Sequence, residues 1–232
     1  INMEIGQHTS QQYNHELEEV RNLLLQMGGL VENQLAKALK SLIEHDTAAG
    51  ELVIGSDYKV NRLEVTIDEQ CAQIIARRQP AASDLRLIIA IIKSITDLER
   101  IGDEAQKIAR YSVKNADLND GKLHSSLRHL CKHVQEMLSA TLDAMARMDP
   151  DQSREVAQSD ERIDHEFDDL SRKLLTHMME DTRNIKPSLN VTWCARSLER
   201  IGDHCKNICE YVVYLVEGKD VRHLEDDLGD SH

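Results

Sequence analysis

The chain carries the stretch Asp-Leu-Glu-Arg-Ile-Gly-Asp at residues 97–103 and nearly the same stretch, Ser-Leu-Glu-Arg-Ile-Gly-Asp, one hundred positions later at 197–203. The register continues downstream in three further identities, which pair Ile108 with Ile208, Tyr111 with Tyr211 and Val113 with Val213. A shared stretch of this length with matching flanks indicates an internal duplication. The rest of the chain is organised around these two copies.

The composition predicts an all-α protein. Of the 232 residues only one is Phe, one is Trp and three are Pro, while Leu, Ala, Ile, Glu, Lys and Gln are common. All of these common residues except Ile are strong helix formers. The net charge of −13 argues against an electrostatic grip on nucleic acid or on anionic lipid and favours cations or basic protein partners.

Apolar residues recur every three or four positions and predict six long amphipathic helices. We expect helices over 11–45, 51–78 and 84–116 in the first copy, and up to 148, over 151–181 and over 188–217 in the second. Short turns between them predict two tandem antiparallel three-helix bundles related by internal duplication. The expected domains are 11–117 and 122–218, with a loose arm over 1–10, a linker over 117–122 and a C-terminal tail over 219–232.

Each copy of the repeated stretch places two carboxylates one helical turn apart, Glu99 with Asp103 and Glu199 with Asp203. On a helix these pairs lie far from the apolar stripe, so we expect them to face outward. Like charges at this spacing destabilise an isolated helix by a few tenths of a kcal/mol, roughly. A hard cation would offset that repulsion, and both copies keep the pair.

The second helix of each copy adds further spaced acids, Asp160 with Asp164 and Glu64 with Asp68. If the second and third helices lie side by side, four or more carboxylates converge. Oxygen ligands of this kind suit magnesium, manganese, iron or calcium better than a closed structural zinc site. The alternative is a solvated acidic face, which any helix rich in Asp and Glu can show.

Other positions of the motif leave two interpretations open. Gly102 and Gly202 either allow close helix packing or leave room for a ligand beside the aspartates. Arg100 and Arg200 either neutralise the carboxylates, bind an anion bridged by a metal, or form local surface salt bridges. His204 could add an imidazole ligand, although a single helical histidine is more often a surface residue.

The five cysteines show no C-x-x-C spacing and no disulfide framework. Cys205 and Cys209 could form a metal pair, but their counterparts are Ala105 and Ala109, which favours buried thiols in a reducing compartment. The sequence contains no phosphate loop, no dinucleotide fingerprint, no nucleophile elbow, no H-E-x-x-H and no Glu-x-x-His. No apolar run is long enough to cross a bilayer and no signal peptide is evident, so we expect a soluble cytoplasmic protein.

The duplicated Leu-Glu-Arg-Ile-Gly-Asp, with Asp203-His204, Asn207-Ile208 and the segments 79–80, 84–86 and 218–223, resembles the PhoU family over nearly the whole chain. The resemblance implies two three-helix bundles and motifs that bind multinuclear metal clusters in some members. Those motifs correspond here to Glu99, Asp103, Glu199, Asp203, Asp160, Asp164, Glu64 and Asp68. The chain departs from a symmetric pattern at Asn61, where the second repeat has Asp164, so equal metal occupancy of the two bundles is not expected.

The resemblance also implies a non-enzymatic regulator of bacterial phosphate uptake. Such proteins link the phosphate ABC transporter, through its ATPase subunit, to the sensor histidine kinase and restrain the phosphate starvation response. We therefore expect a cytoplasmic homodimer, held peripherally at the inner membrane by protein partners, with bound iron, zinc, manganese, magnesium or calcium. Two alternatives remain, a metal-storage protein or carboxylate-bridged metalloenzyme, and a plain helical scaffold with acidic surfaces.

Overall fold

The computed structural model describes residues 2–80, 82–115 and 124–218. Within these ranges the chain forms eight α-helices and one 3₁₀ turn, without any β-strand. The elements are α1 (Asn2–Glu44), α2 (Thr47–Ser56), α3 (Tyr58–Arg78), α4 (Ala82–Lys114), α5 (His124–Arg147), α6 (Pro150–Gln158), α7 (Asp160–Glu180), the 3₁₀ turn Thr182–Asn184 and α8 (Ile185–Glu217).

The helices form the two predicted three-helix bundles. In the first bundle α1 and the pair α2–α3 pack against α4, and in the second α5 and the pair α6–α7 pack against α8. The apolar stripes predicted from the sequence point inward, and residues such as Leu35, Leu98, Leu138 and Leu198 are fully buried. The all-α fold with an internal duplication is therefore confirmed.

The middle helix of each bundle is interrupted, which the sequence analysis did not predict. It expected single helices over 51–78 and 151–181, but α2 ends at Ser56 and α6 ends at Gln158. The Ser56 and Ser159 hydroxyls, at matching positions of the two repeats, donate to the carbonyls of Val53 and Val156. Such back-bonding competes with the helical ladder and bends the chain. The break places Asp57 and Asp160 at the start of the next helix.

Matching capping residues begin α2 and α6. The Asp46 carboxylate accepts a hydrogen bond from the Ala49 amide at 3.0 Å, and Asp149 accepts from the amides of Asp151 and Gln152 at 3.0 Å each. These bonds satisfy amide groups that have no partner within the helix. Asp46 and Asp149 stand at matching positions of the two repeats and are both N-caps, which explains why both copies hold an acid there.

The ends of the chain differ from the expected boundaries. Helix α1 begins at Asn2, so the loose arm expected over 1–10 is wrong from residue 2 onward. No proline interrupts this segment, and an established helix extends at the cost of one residue per hydrogen bond. At the other end Gly218 closes α8 in the left-handed conformation with φ of 71°, as expected. The linker 117–122 and the tail 219–232 lie outside the described residues.

Two helix pairs join the bundles, α4 with α8 and α1 with α5, and the buried apolar side chains form one core that includes residues of both halves. All five cysteines are unpaired members of the buried interior, and burial raises the pKa of the Cys71, Cys194 and Cys209 thiols to about 12. Among the residues described, no helix is both long enough and apolar enough to cross a membrane.

Candidate metal-binding site

The first carboxylate group comprises five acids of α3, α4 and the break before α3: Asp57, Glu64, Asp68, Glu99 and Asp103. Burial, and then repulsion from Asp103, raises the pKa of both Asp57 and Glu99. Burial, followed by Asp68 and Asp103, raises the pKa of Glu64. These interactions place the expected residues of the first repeat together.

The second carboxylate group comprises Asp160 and Asp164 of α7 with Glu199 and Asp203 of α8. Burial, followed by repulsion from Asp164 and Asp203, raises the pKa of Asp160 to about 7. Burial and then Asp203 raise the pKa of Glu199, and burial and then Asp164 raise that of Asp203. The upward direction of these three pKa values indicates that the protein places Asp160, Glu199 and Asp203 where their negative charge is poorly compensated.

The carboxylates do not face solvent as fully as the helical spacing suggested. The Glu199 side chain is 13% exposed, Asp57 and Asp160 are buried, and Glu99 and Asp103 are half-buried, while Asp203 remains exposed. The spacing analysis placed these residues relative to their own helix only. The neighbouring middle helix covers part of that face and brings its own acids to it.

Three carboxylate oxygens in these groups are buried without a hydrogen-bond partner: Asp57 Oδ1, Asp160 Oδ1 and Glu199 Oε2. A buried acceptor without a partner is costly, and a bound cation is one way to satisfy it. The set of carboxylate oxygens also suits a hard cation. On these two grounds the residues fit a metal ion.

The side chains do not form a finished coordination sphere. In the described part of the chain, no three Asp, Glu, His or Cys residues are arranged to hold a metal ion as they stand. In the second group two basic side chains already contact the acids. Arg196 Nη1 lies 2.6 Å from Glu199 Oε1, and Lys206 Nζ lies 3.8 Å from Asp160 Oδ2.

Asp57 was not among the ligands predicted from the sequence. The sequence signal for Asp57 is that it occupies the position of the first repeat that corresponds to Asp160, a predicted ligand of the second. The first repeat has Asn61 where the second has Asp164, so the middle helix of the first repeat lacks one of the spaced acids that indicated a metal site. In the structure the break before α3 brings Asp57 to Asp103 independently of Asn61.

Gly102 and Gly202 are explained by close packing. A Cβ at Gly202 would lie 2.8 Å from Asp160 Oδ1 and 3.3 Å from Ile163 Cδ1, and one at Gly102 would lie 3.2 Å from Gln34 Oε1. At position 202 the absent side chain makes room for the buried carboxylate of the second group. The packing interpretation and the site interpretation therefore coincide there.

Two polar clusters of matching position join α4 to α8. In one, Asp97 lies 2.7 Å from His204 Nδ1 and accepts a hydrogen bond from Asn207 Nδ2 at 3.2 Å. In the other, Glu104 contacts Lys107 at 2.8 Å and Arg200 at 3.2 Å. Burial alone would raise the pKa of Glu104, but hydrogen bonds from Lys107, Ser197 and Arg200 lower it. The Nδ1 atom of His204, which the sequence analysis considered as a metal ligand, thus contacts Asp97 and connects the two repeats.

Comparison with known proteins agrees with the duplicated fold. The PhoU domain matches the chain twice, over residues 24–112 and 127–212. This chain belongs to the PhoU family. It is 49% identical over 226 residues to the phosphate-specific transport system accessory protein PhoU of Serratia marcescens, covering 97% of this chain and 93% of that protein. It is 45% identical over 225 residues to the PhoU protein of Escherichia coli strain K12, with coverage of 97% and 93%.

Solved PhoU structures share the architecture. The crystal structure of PhoU from Pseudomonas aeruginosa superposes with a TM-score of 0.87 at 50% identity, covering 89% of this chain and 100% of that one. The phosphate transport system regulatory protein PhoU from Streptococcus pneumoniae superposes with a TM-score of 0.82 at 32% identity, covering 90% and 99%. The PhoU likeness therefore extends over both bundles.

Proposed function

We propose that this chain is a non-enzymatic negative regulator of phosphate uptake and of the phosphate starvation response. In this role it contacts the ATPase subunit of the phosphate ABC transporter and the sensor histidine kinase. The observation that carries the proposal is similarity over 97% of the chain to proteins named as accessory proteins of the phosphate-specific transport system. Both copies of Leu-Glu-Arg-Ile-Gly-Asp are present, so the repeated feature is complete in each half.

Complementation tests the regulatory role. The chain is expressed in an Escherichia coli strain that lacks its own PhoU protein, and alkaline phosphatase activity is measured in phosphate-rich medium. We expect the chain to restore low activity. Activity that stays as high as with an empty vector, despite normal amounts of folded protein, contradicts the proposal.

Purified components test the partners. The ATPase subunit and the cytoplasmic part of the sensor kinase are each immobilised, and binding of the chain is followed by surface plasmon resonance. Regulatory contacts are often small and short-lived, so equilibrium binding in the micromolar range is the expected result. Signals no larger than those for an unrelated acidic helical protein would remove the support for direct contact.

We also propose that each carboxylate group binds metal ions, with iron, zinc, manganese, magnesium and calcium as candidates. Glu99, Asp103, Glu64 and Asp68 would bind with Asp57 in the first bundle, and Glu199, Asp203, Asp160 and Asp164 in the second. A bound cation supplies positive charge that relieves the mutual repulsion of these acids. The partnerless oxygens of Asp57, Asp160 and Glu199 support this assignment.

A cytoplasmic homodimer is the form in which we propose that the regulator acts. Large apolar side chains are exposed near the junction of α7 and α8, including Met179 at 86% and Trp193 at 55% exposure. Apolar groups of this size offer contact area for another protein. Sedimentation equilibrium checks the assembly, and a constant monomer mass across concentrations would contradict it.

A further inference from the structure

A cavity of about 340 Å³ opens between α4 and α8. Matching positions of the two repeats line it, namely Arg100 with Arg200, Asp103 with Asp203, and Glu104 with His204, and Lys107 completes the lining. The metal proposal uses the aspartates of this set. It gives no role to the two arginines, although both copies of the repeated stretch contain them.

The contacts between α4 and α8 show where the pseudo-twofold axis lies relative to the two arginines. Asp97 meets His204, and Glu104 meets Ser197 and Arg200. Residues of the two repeats correspond at an offset of 100, so residue 97 corresponds to 197 and residue 104 to 204. The contact between residues 97 and 204 is therefore equivalent to the contact between residues 197 and 104. The pseudo-twofold axis therefore passes between these contacts, beside Arg100 and Arg200, and the two guanidinium groups approach the cavity from opposite repeats.

The charges of the lining are incompletely paired. Within the described residues Arg100 is exposed and makes no hydrogen bond or ion pair, although its charge opposes the rise in the pKa of Glu64 and Glu99. The Arg200 side chain is 51% exposed. Arg200 shares its partner Glu104 with Lys107, so one carboxylate faces two cations. The cavity thus presents guanidinium groups that have hydrogen-bond donors to spare.

We propose that this cavity binds a tetrahedral oxyanion of the phosphate class, held by the guanidinium groups of Arg100 and Arg200. A guanidinium is a planar fork of donors that matches phosphate oxygens in pairs. Two forks related by a twofold axis can each bind two oxygens of one tetrahedral anion. This proposal does not depend on the regulatory role, because it is argued from the cavity and its lining residues.

Asp103 and Asp203 also line the cavity, and their charge opposes an anion. Both belong to the carboxylate groups, so a cation bound there would reduce the opposition. We therefore expect the anion to bind more tightly when the carboxylate groups are loaded. Coupling of this kind is reciprocal, and the anion should equally strengthen the binding of the cation.

Isothermal titration calorimetry with inorganic phosphate tests the site on the full chain, with EDTA and separately with excess Mg²⁺. Saturable binding in either condition is the expected result. Arg100→Gln and Arg200→Gln should each weaken it by about tenfold or more, since each removes charge-assisted hydrogen bonds. Arg147→Gln is the matched control, because Arg147 is an exposed arginine of α5 outside the cavity. This variant should bind phosphate as the unmodified chain does.

A parallel titration with ATP distinguishes the source of the phosphate group. ATP binding that both arginine variants weaken supports the site, whether or not inorganic phosphate also binds. If only ATP binds, the site is assigned to a nucleotide. Helix content and melting temperature confirm that each variant is folded. Absence of saturable binding for both compounds in both conditions overturns the proposal, as does binding that Arg100→Gln or Arg200→Gln leaves unchanged. Separate metal analysis shows whether the carboxylate groups were loaded, so failure here is distinct from failure of the metal proposal.

Discussion

The Nδ1 atom of His204 lies 2.7 Å from Oδ1 of Asp97, and this contact joins α4 of the first repeat to α8 of the second. The Asp97 side chain is 5% exposed, and the same oxygen accepts a hydrogen bond from Asn207. The matching contact, between Ser197 of α8 and Glu104, again has its acid on α4. Both acids of this interface therefore lie in the first repeat, and the side chains that contact them across it lie in the second.

Replacing Asp97 with Ala should destabilise the protein by about 2 kcal/mol. Two half-buried groups, the imidazole of His204 and the amide of Asn207, would lose their hydrogen-bond partner. Leaving a buried group without its partner costs about 1 to 3 kcal/mol. Urea unfolding measures the change. Asp143→Ala, which alters an exposed aspartate of α5, is the control and should lie within about 0.5 kcal/mol of the unmodified chain. Additive effects of Asp97→Ala and His204→Ala in a double-mutant cycle would contradict a direct interaction.

Replacing Gly202 with Ala should destabilise the protein although Ala is the better helix former. The new methyl group would lie 2.8 Å from Asp160 Oδ1 and 3.3 Å from Ile163, so buried side chains must move. Gly29→Ala is the matched comparison, because apart from the adjoining residues and backbone of its own helix no atom lies within 4 Å of the added Cβ. That variant should gain about 0.5 to 1 kcal/mol from helix propensity. Thermal melts that rank Gly202→Ala above Gly29→Ala would contradict the packing explanation.

The raised pKa of Asp160 predicts how the stability of the protein depends on pH. Its pKa in the folded protein is about 7, against the ordinary value of 3.8, so between these values the folded state holds a proton that the unfolded state has released. The free energy of unfolding therefore falls as pH rises from about 4 to about 7 and loses no more above that. Three pKa units correspond to about 4 kcal/mol at most.

The variant Asp160→Asn tests this dependence, because an amide cannot ionise. In EDTA its melting temperature should exceed that of the unmodified chain at pH 8, and the difference should vanish toward pH 4. The exposed control Asp151→Asn should show no such convergence. A difference that is the same at both pH values would show that ionisation of Asp160 does not limit stability.

Metal binding should depend on Asp203. The Asp203→Asn substitution removes one charge at nearly constant volume, and we expect it to weaken metal binding in the second carboxylate group and to leave the first group loaded. At a hundredfold excess over Kd a bound ion should raise the melting temperature of the unmodified chain by about 5 to 10 °C. Elemental analysis and melts with and without metal measure both effects. If the unmodified chain binds no metal and its melts coincide, the acids serve only as a polar surface.

Local sequence patterns were sufficient for the helices and the duplication. Apolar spacing identifies the buried face of each helix, because a helix must bury its apolar stripe. The breaks at Ser56 and Ser159 were not predictable in this way, since serine occurs within many uninterrupted helices. Its hydroxyl bends the chain only where the packed neighbours favour the back-bonded conformation.

The candidate site was likewise only partly predictable from local sequence patterns. Sequence spacing alone paired Glu99 with Asp103 and Glu199 with Asp203, because residues four apart on a helix share a face. Burial of Asp57 and Asp160 beside those pairs depended on the packing of helices distant in sequence, and so did the placement of Arg100 and Arg200 on one cavity. Helical periodicity fixes the direction of a side chain relative to its own axis, whereas neighbouring helices determine which charges lose solvent and which of them meet.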